Sequence, residues 1–205
     1  FRKDLPTRKS GFMMDAGIIG GAGYTAGELI RILLYHPEVN LNFVYSTSQP
    51  GKPVHSVHQD LIGDTELKFT NLINKEADVV FLCLGHGNSK KFLSKNEFSE
   101  RTKIVDLSTD FRMKSIDHTF VYGLPEINKG CFATAISLAI LPLARAGLLL
   151  EDVHVNAVTG ATGAGTSLSK TTHFTWRDNN FSAYKSFEHQ HLQEIGQSLK
   201  QLQEN

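Results

Sequence analysis

Cysteine is scarce in this chain. Cys83 and Cys131 are its two cysteines in 205 residues, far apart and at neither a disulfide-framework nor a metal-ligand spacing. That excludes a disulfide-stapled scaffold and a zinc finger, and it fits a reducing cytoplasm. An excess of charge of one sign is also missing, since Lys plus Arg and Asp plus Glu each number 21. No basic surplus argues for nucleic acid and no acidic tail argues for disorder. No apolar run approaches the roughly 20 residues that span a bilayer, so a membrane segment is not expected. The first residues, 1–13, are basic but have no long apolar core of a secretory signal, and read as an extension outside the fold. What remains is long enough to bury one large core or two small ones.

The stretch Ala16-Gly-Ile-Ile-Gly-Gly-Ala-Gly-Tyr-Thr-Ala-Gly27 reads as a buried strand and a glycine-rich turn. A helix follows, with apolar residues at Leu29, Ile30, Leu33 and Leu34. Strand, turn and helix in that order form the phosphate-binding opening of a dinucleotide fold. Gly20, Gly21 and Gly23 are the candidate turn glycines, Gly21 and Gly23 allowing a tight turn and close approach to a pyrophosphate. Tyr24 and Thr25 then open the helix, whose N-terminus attracts the anion, and Ala26 is small where helix meets strand. His36-Pro37 stops the helix, because a residue before proline is pushed out of helical geometry. The next strand, 41–45, ends in Ser46-Thr47-Ser48 with Lys52 beyond, where an NAD-selective fold carries an acidic residue. Hydroxyls and a cation suit a 2′-phosphate, hence NADP; the alternative is a polar turn. His55 and His58 lack partners at ligand spacing and read as surface loop residues with no role.

The apolar run 77–84 suits a central parallel strand, with Cys83 as packing. It runs into Gly85-His86-Gly87, at the edge where ligands bind, so Gly85 and His86 are candidates for cofactor contact. Another strand, 103–107, leads to Ser108-Thr-Asp-Phe-Arg112, whose polar groups either face substrate or cap a turn. Cys131 follows Gly130 at the start of a long helix, where the helix dipole favours thiolate; a nucleophile is the reading preferred over an inert cysteine. Residues 153–158 alternate as a strand and enter the glycine-rich loop Thr159-Gly-Ala-Thr-Gly-Ala-Gly165. His189 and His191 share a face in an extended segment but not in a helix, and a base for the cysteine is a more economical role for them than a metal pair.

Taken together, residues 17–29, Asp106-Leu-Ser-Thr-Asp-Phe-Arg112, Tyr122-Gly-Leu-Pro-Glu126, Gly130-Cys-Phe132 and His189-Gln-His-Leu-Gln-Glu-Ile195 occur in an order that resembles the N-acetyl-γ-glutamyl-phosphate reductases. Those enzymes belong to the semialdehyde dehydrogenase group and to arginine biosynthesis. The resemblance runs from about Met14 to the end of the chain. It implies an α/β protein: a doubly wound, mostly parallel NADP-binding (Rossmann) domain over 14–129, then the first part of an α+β catalytic and dimerisation domain over 130–205.

The implied reaction is NADPH-dependent reduction of an acyl phosphate through a thioester on Cys131, with His191 slightly preferred over His189 as the group that moves the proton. Ser108, Arg112, Gly163 and Glu194 are the expected substrate contacts. A cytoplasmic homo-oligomer, dimer or tetramer, without metal, nucleic acid or membrane, is expected. In the family a further segment usually ending Asn-Pro-Gly-Cys precedes the cysteine, whereas here Asn128-Lys129 runs directly into Gly130-Cys131. Arginine and proline stand in the family where this chain has Gln190 and Gln193, and the family's second domain continues past position 205, so that domain is expected to be incomplete here. Rival readings are the same chemistry on N-succinylglutamyl, aspartyl or aminoadipyl phosphate, and a non-catalytic NADP-binding sensor.

Overall fold

The computed structural model describes residues 13–122 and 131–203. The chain divides into two compact units, Phe1–Asp110 and Phe111–Asn205. Residues 1–12 of the expected extension at 1–13, the Leu124-Pro125-Glu126 turn and Gly130 lie outside the described residues.

The first unit is a five-stranded parallel sheet in the order β3-β2-β1-β4-β5, built from β1 (Met14–Ile19), β2 (Val39–Tyr45), β3 (Phe69–Thr70), β4 (Val79–Leu82) and β5 (Lys103–Asp106). Helix α1 (Tyr24–Leu34) crosses from β1 to β2, and α2 (Asn88–Leu93) lies between β4 and β5. This is a doubly wound arrangement, whose strand order reverses between β1 and β4. Strand periodicity divides the core into two faces. Ala16 and Ile18 of β1 pack with Val44 and Val79 under Ala26, Ile30 and Leu33 of α1. Ile19 packs with Phe43, Val80 and Leu82, and with Phe92 and Leu93 of α2. Gly17 points to this second face, where an added Cβ would overlap the Phe43 ring. The helix ends at Leu34, just before His36-Pro37, as the proline predicts.

The second unit contains α3 (Cys131–Arg145), α4 (Phe174–Arg177) and α5 (His191–Gln203). Ala133 and Ile140 of α3 meet Ile195 of α5, with Ile136, Leu149 and Leu199 around them. The alternation at 153–158 does not become a strand: the segment pairs with nothing in a ladder and is exposed throughout. Alternation in sequence supports a strand only where a partner strand covers the apolar face, and none does so among the described residues.

Candidate active site

Because the sheet is parallel, β1, β2, β4 and β5 all end at one edge, and three groups of the expected residues stand there. The first is the glycine-rich turn. Gly20, at φ +85°, is the left-handed residue of the turn: besides the strain, an added Cβ would lie 2.7 Å from the Cys83 carbonyl oxygen. Gly21 lies so close to β2 that a Cβ would overlap Val44. Gly23 has room, its nearest neighbour standing 3.8 Å from a Cβ position; it is the N-cap of α1, with an extended φ of −85°. The turn is locked to β2 by the N–H groups of Gly20 and Gly21, which both donate to the Tyr45 carbonyl at 3.1 and 2.9 Å.

Helix α1 has no side-chain cap and no acidic residue in its first turn, so its positive end is left for an anion. Tyr24 and Thr25 are exposed on that turn, and Ala26 is buried against the sheet. These residues fit a dinucleotide pyrophosphate.

The second group is Ser46-Thr47-Ser48 at the end of β2. The Ser46 N–H donates to the Thr70 carbonyl at 2.9 Å, its hydroxyl lies 3.3 Å from that of Ser48, and Thr47 and Ser48 are exposed. The third group is the β4–α2 loop with Gly85 and His86, both exposed. The His86 Nδ1 accepts from the Thr109 N–H at 3.2 Å. Asp110 accepts from the N–H groups of Gly87 (2.5 Å) and Lys90 (3.0 Å), tying this loop to the end of β5. Desolvation is the largest single influence on the Asp110 carboxyl and pushes it up, but the N–H groups of Lys90, Gly87 and Ser89 with the Ser108 hydroxyl outweigh it and hold it below the usual carboxylate range. Ser108 is buried and donates to Asp106 at 2.7 Å while accepting from the Asp110 N–H at 3.0 Å. Cys83, inside the same region, is a packing thiol. Burial, with Asp106 adding a smaller effect, pushes it up to about 12, so it stays protonated at neutral pH.

One residue read from sequence as a surface histidine is corrected. His58 is 8% exposed, and its Nε2–H donates to the Gly21 carbonyl at 2.7 Å. The loop 52–61 folds back on the turn through Lys52 and Val54, which pair with Phe69 and Leu67. A histidine spacing rule cannot detect that return.

In the second unit the expected catalytic and substrate residues form a network. His191 opens α5 and its Nδ1 stands 2.9 Å from the Glu194 carboxylate. Glu194, 3% exposed, also accepts from Arg112 Nη1 at 3.0 Å and from the Tyr122 hydroxyl at 2.6 Å. Burial is the largest influence on Glu194 and pushes its carboxyl up. The Tyr122 hydroxyl, the Arg112 guanidinium and His191 outweigh it and hold the carboxyl below its ordinary value. Paired with a carboxylate, the His191 Nδ1 carries a proton, and in the neutral imidazole the lone pair is then on Nε2.

The His189 ring lies 4.5 Å from that of His191, centroid to centroid. Its Nδ1 accepts the His191 N–H at 3.2 Å, so the proton of neutral His189 sits on Nε2. Burial first, then His191 and Lys185, hold its imidazole below the ordinary value. Phe132 sets its ring edge-on to His189 at 5.9 Å, so the first turn of α3, which Cys131 opens, stands beside the histidine pair. The side chain of Cys131 itself lies outside the described atoms. Gly163 stands apart from this network, exposed in the turn Ala161–Ala164. Tyr122 joins the site without having been singled out as a site residue from sequence. Among the described residues no cluster of three or more His, Cys, Asp or Glu side chains could hold a metal, and no helix is long and apolar enough to cross a membrane.

The chain is 79% identical over 203 residues to N-acetyl-gamma-glutamyl-phosphate reductase of Christiangramia forsetii, covering 93% of this chain and 63% of that protein. It is 60% identical over 209 residues to the Flavobacterium johnsoniae protein of the same name, covering 94% and 64% respectively. The chain thus spans less than two thirds of the length of these relatives. A solved structure of aspartate semialdehyde dehydrogenase with NADP from Candida albicans is a weaker likeness: TM-score 0.39 and 19% identity over 49% of this chain and 31% of that one, too little to argue from. Residues 15–135 match the model of the semialdehyde dehydrogenase NAD binding domain, and residues 131–205 match that of the semialdehyde dehydrogenase dimerisation domain. With both family models matched in tandem, the first over the doubly wound sheet, the chain belongs to the semialdehyde dehydrogenase family.

Proposed function

We propose that the protein to which this chain belongs reduces N-acetyl-γ-glutamyl phosphate to N-acetylglutamate 5-semialdehyde and phosphate, using NADPH, in arginine biosynthesis in the cytoplasm. The observation that carries this reading is the pairing of His191 with Glu194 beside the first turn of α3, where Cys131 stands. A nucleophile, a base and a carboxylate that orients the base form the arrangement expected for covalent acyl transfer. The names of the 79% and 60% identical relatives favour the N-acetylglutamyl substrate over the aspartyl one.

In this mechanism His191 Nε2 takes the Cys131 thiol proton as sulfur attacks the acyl carbon. The carbon–oxygen bond to phosphate breaks, the departing phosphate takes that proton from His191, and the acyl group remains as a thioester on Cys131. NADPH, when bound, supplies a hydride to the thioester carbonyl carbon. The resulting thiohemiacetal oxyanion re-forms its carbonyl, the carbon–sulfur bond breaks, and the aldehyde leaves; the thiolate regains a proton from water. The N–H groups of the first α3 turn steady the oxygen on which charge develops.

The turn 20–23 with the α1 N-terminus would hold the pyrophosphate. Ser46, Thr47 and Ser48 would hold the 2′-phosphate, and Gly85 and His86 would border the nicotinamide half. Arg112 and Ser108 are proposed on the substrate side, with Glu194 acting through Arg112 and His191 and Gly163 at the margin. The protein is proposed to be a homo-oligomer, dimer or tetramer, assembled through its second domain, which matches a family model described as a dimerisation domain.

The test is the reverse reaction of the full-length protein with NADP, phosphate and three aldehydes: N-acetylglutamate, N-succinylglutamate and aspartate semialdehydes. Phosphate-dependent NADPH formation is expected, with kcat/KM for the N-acetyl aldehyde above the aspartate analogue by about 10²-fold or more. A preference for either rival moves the substrate. Absence of phosphate dependence with all three overturns the reaction.

A further inference from the structure

His58 has no place in the chemistry above, yet it is buried against the cofactor turn at two points. Its Nε2–H donates to the Gly21 carbonyl at 2.7 Å, and its ring lies on Gly27 of α1, where an added Cβ would come within 2.5 Å of Nδ1 and 2.9 Å of Cε1. The residue is held in place in turn. Its main-chain N–H donates to the Val54 carbonyl at 3.1 Å, its main-chain carbonyl accepts from the Leu61 N–H at 3.0 Å, and Phe69 packs on the ring at 6.2 Å between centroids.

A trans peptide points its C=O and N–H in opposite directions, and every described peptide bond is trans. Anchoring the Gly21 carbonyl on His58 therefore aims the Ala22 N–H away from the His58 side of the turn. The N–H groups of Gly20, Gly21 and Gly23 are spent on Tyr45 and Gly20 carbonyls. We propose that His58 is a positioning residue for the dinucleotide: it fixes the Gly21–Ala22 peptide so that the Ala22 N–H meets the pyrophosphate, and Gly27 is glycine because the imidazole occupies the space of a side chain. This rests on the dinucleotide reading of the turn but on no assumption about the acyl substrate.

The experiment measures binding of two fragments to the full-length protein by calorimetry. One, 2′-phospho-ADP-ribose, carries the pyrophosphate; the other, adenosine 2′-phosphate, lacks it. His58→Leu is expected to weaken the first by roughly five- to ten-fold, the range of one hydrogen bond, and to leave the second within about two-fold. His58→Gln, which can place an amide N–H near the Nε2 position, should restore most of the loss. Gly27→Ala, which keeps the histidine but displaces its ring, should reproduce it, and stands in if His58→Leu fails to fold. Unchanged affinity of both variants for 2′-phospho-ADP-ribose, or an equal loss for the two fragments, overturns the proposal. Failure of the unaltered protein to bind either fragment overturns the dinucleotide reading itself, and the role of His58 with it.

Discussion

Cys131→Ser in the full-length protein is expected to lower phosphate-dependent NADPH formation by about 10³-fold or more, with KM for NADP nearly unchanged. A serine hydroxyl holds its proton far more tightly than a thiol, and loss of the nucleophile removes the covalent route, leaving only what binding and backbone donors supply. The geometry around the position supports the expectation. Cys131 opens α3, Phe132 touches His189, and His191 is oriented by a buried carboxylate. Cys83, the other cysteine, offers no substitute, since burial keeps it protonated. Steady-state rates of the two proteins, with NADP affinity measured separately, check the prediction. A variant that keeps a tenth of the activity would remove Cys131 from the mechanism.

Glu194→Gln is expected to affect both rate and stability. It replaces the charge that Arg112 and His191 share by a neutral amide, so His191 loses the carboxylate that fixes its proton on Nδ1, and Arg112, 14% exposed, loses its ion pair with Glu194. By analogy with removing the carboxylate that orients a catalytic histidine, kcat should fall about 10²- to 10⁴-fold. Breaking one side of a buried ion pair typically costs about 3–5 kcal/mol, and we expect the lower end because the amide still accepts from Tyr122.

The pH dependence has a definite sign. The folded-state carboxyl is held below its ordinary value, so ionised Glu194 contributes stability that is fully present above about pH 4.5 and lost as pH falls through the lower folded value. Chemical denaturation of both proteins from pH 7 to pH 3 should show the difference between them shrinking on the acid side. A difference independent of pH would mean that the charge of Glu194 is not what holds the network.

The first unit was legible where local rules decide. A glycine-rich turn between an apolar strand and an amphipathic helix, and a proline three residues past the end of that helix, placed β1, α1 and β2. Gly20, Gly21 and Gly23 are all candidates for the turn in the sequence, and the left-handed residue is Gly20; choosing among adjacent glycines requires the position of β4, which brings the Cys83 carbonyl against Gly20. Long-range returns were not legible. His58 reaches Gly21 across 37 residues, and Glu194 meets Tyr122 and Arg112 across 72 and 82, distances over which periodicity and spacing carry no information. The paired histidines were seen, but their division of labour depends on which nitrogen faces Glu194. The exposed alternation at 153–158 shows the opposite error, a pattern of the right period that covers no core.

The central claim is that an acyl group passes through Cys131, and trapping it is the most direct test. Full-length protein is given N-acetyl-γ-glutamyl phosphate without NADPH, quenched in acid and digested, and its peptides are weighed. The account predicts one N-acetylglutamyl group on the peptide containing Cys131, removed by a later pulse of NADPH with release of the aldehyde. Turnover with no acyl group on that peptide under any quench time, while phosphate is still released only in the presence of NADPH, would contradict it and require direct reduction of the acyl phosphate.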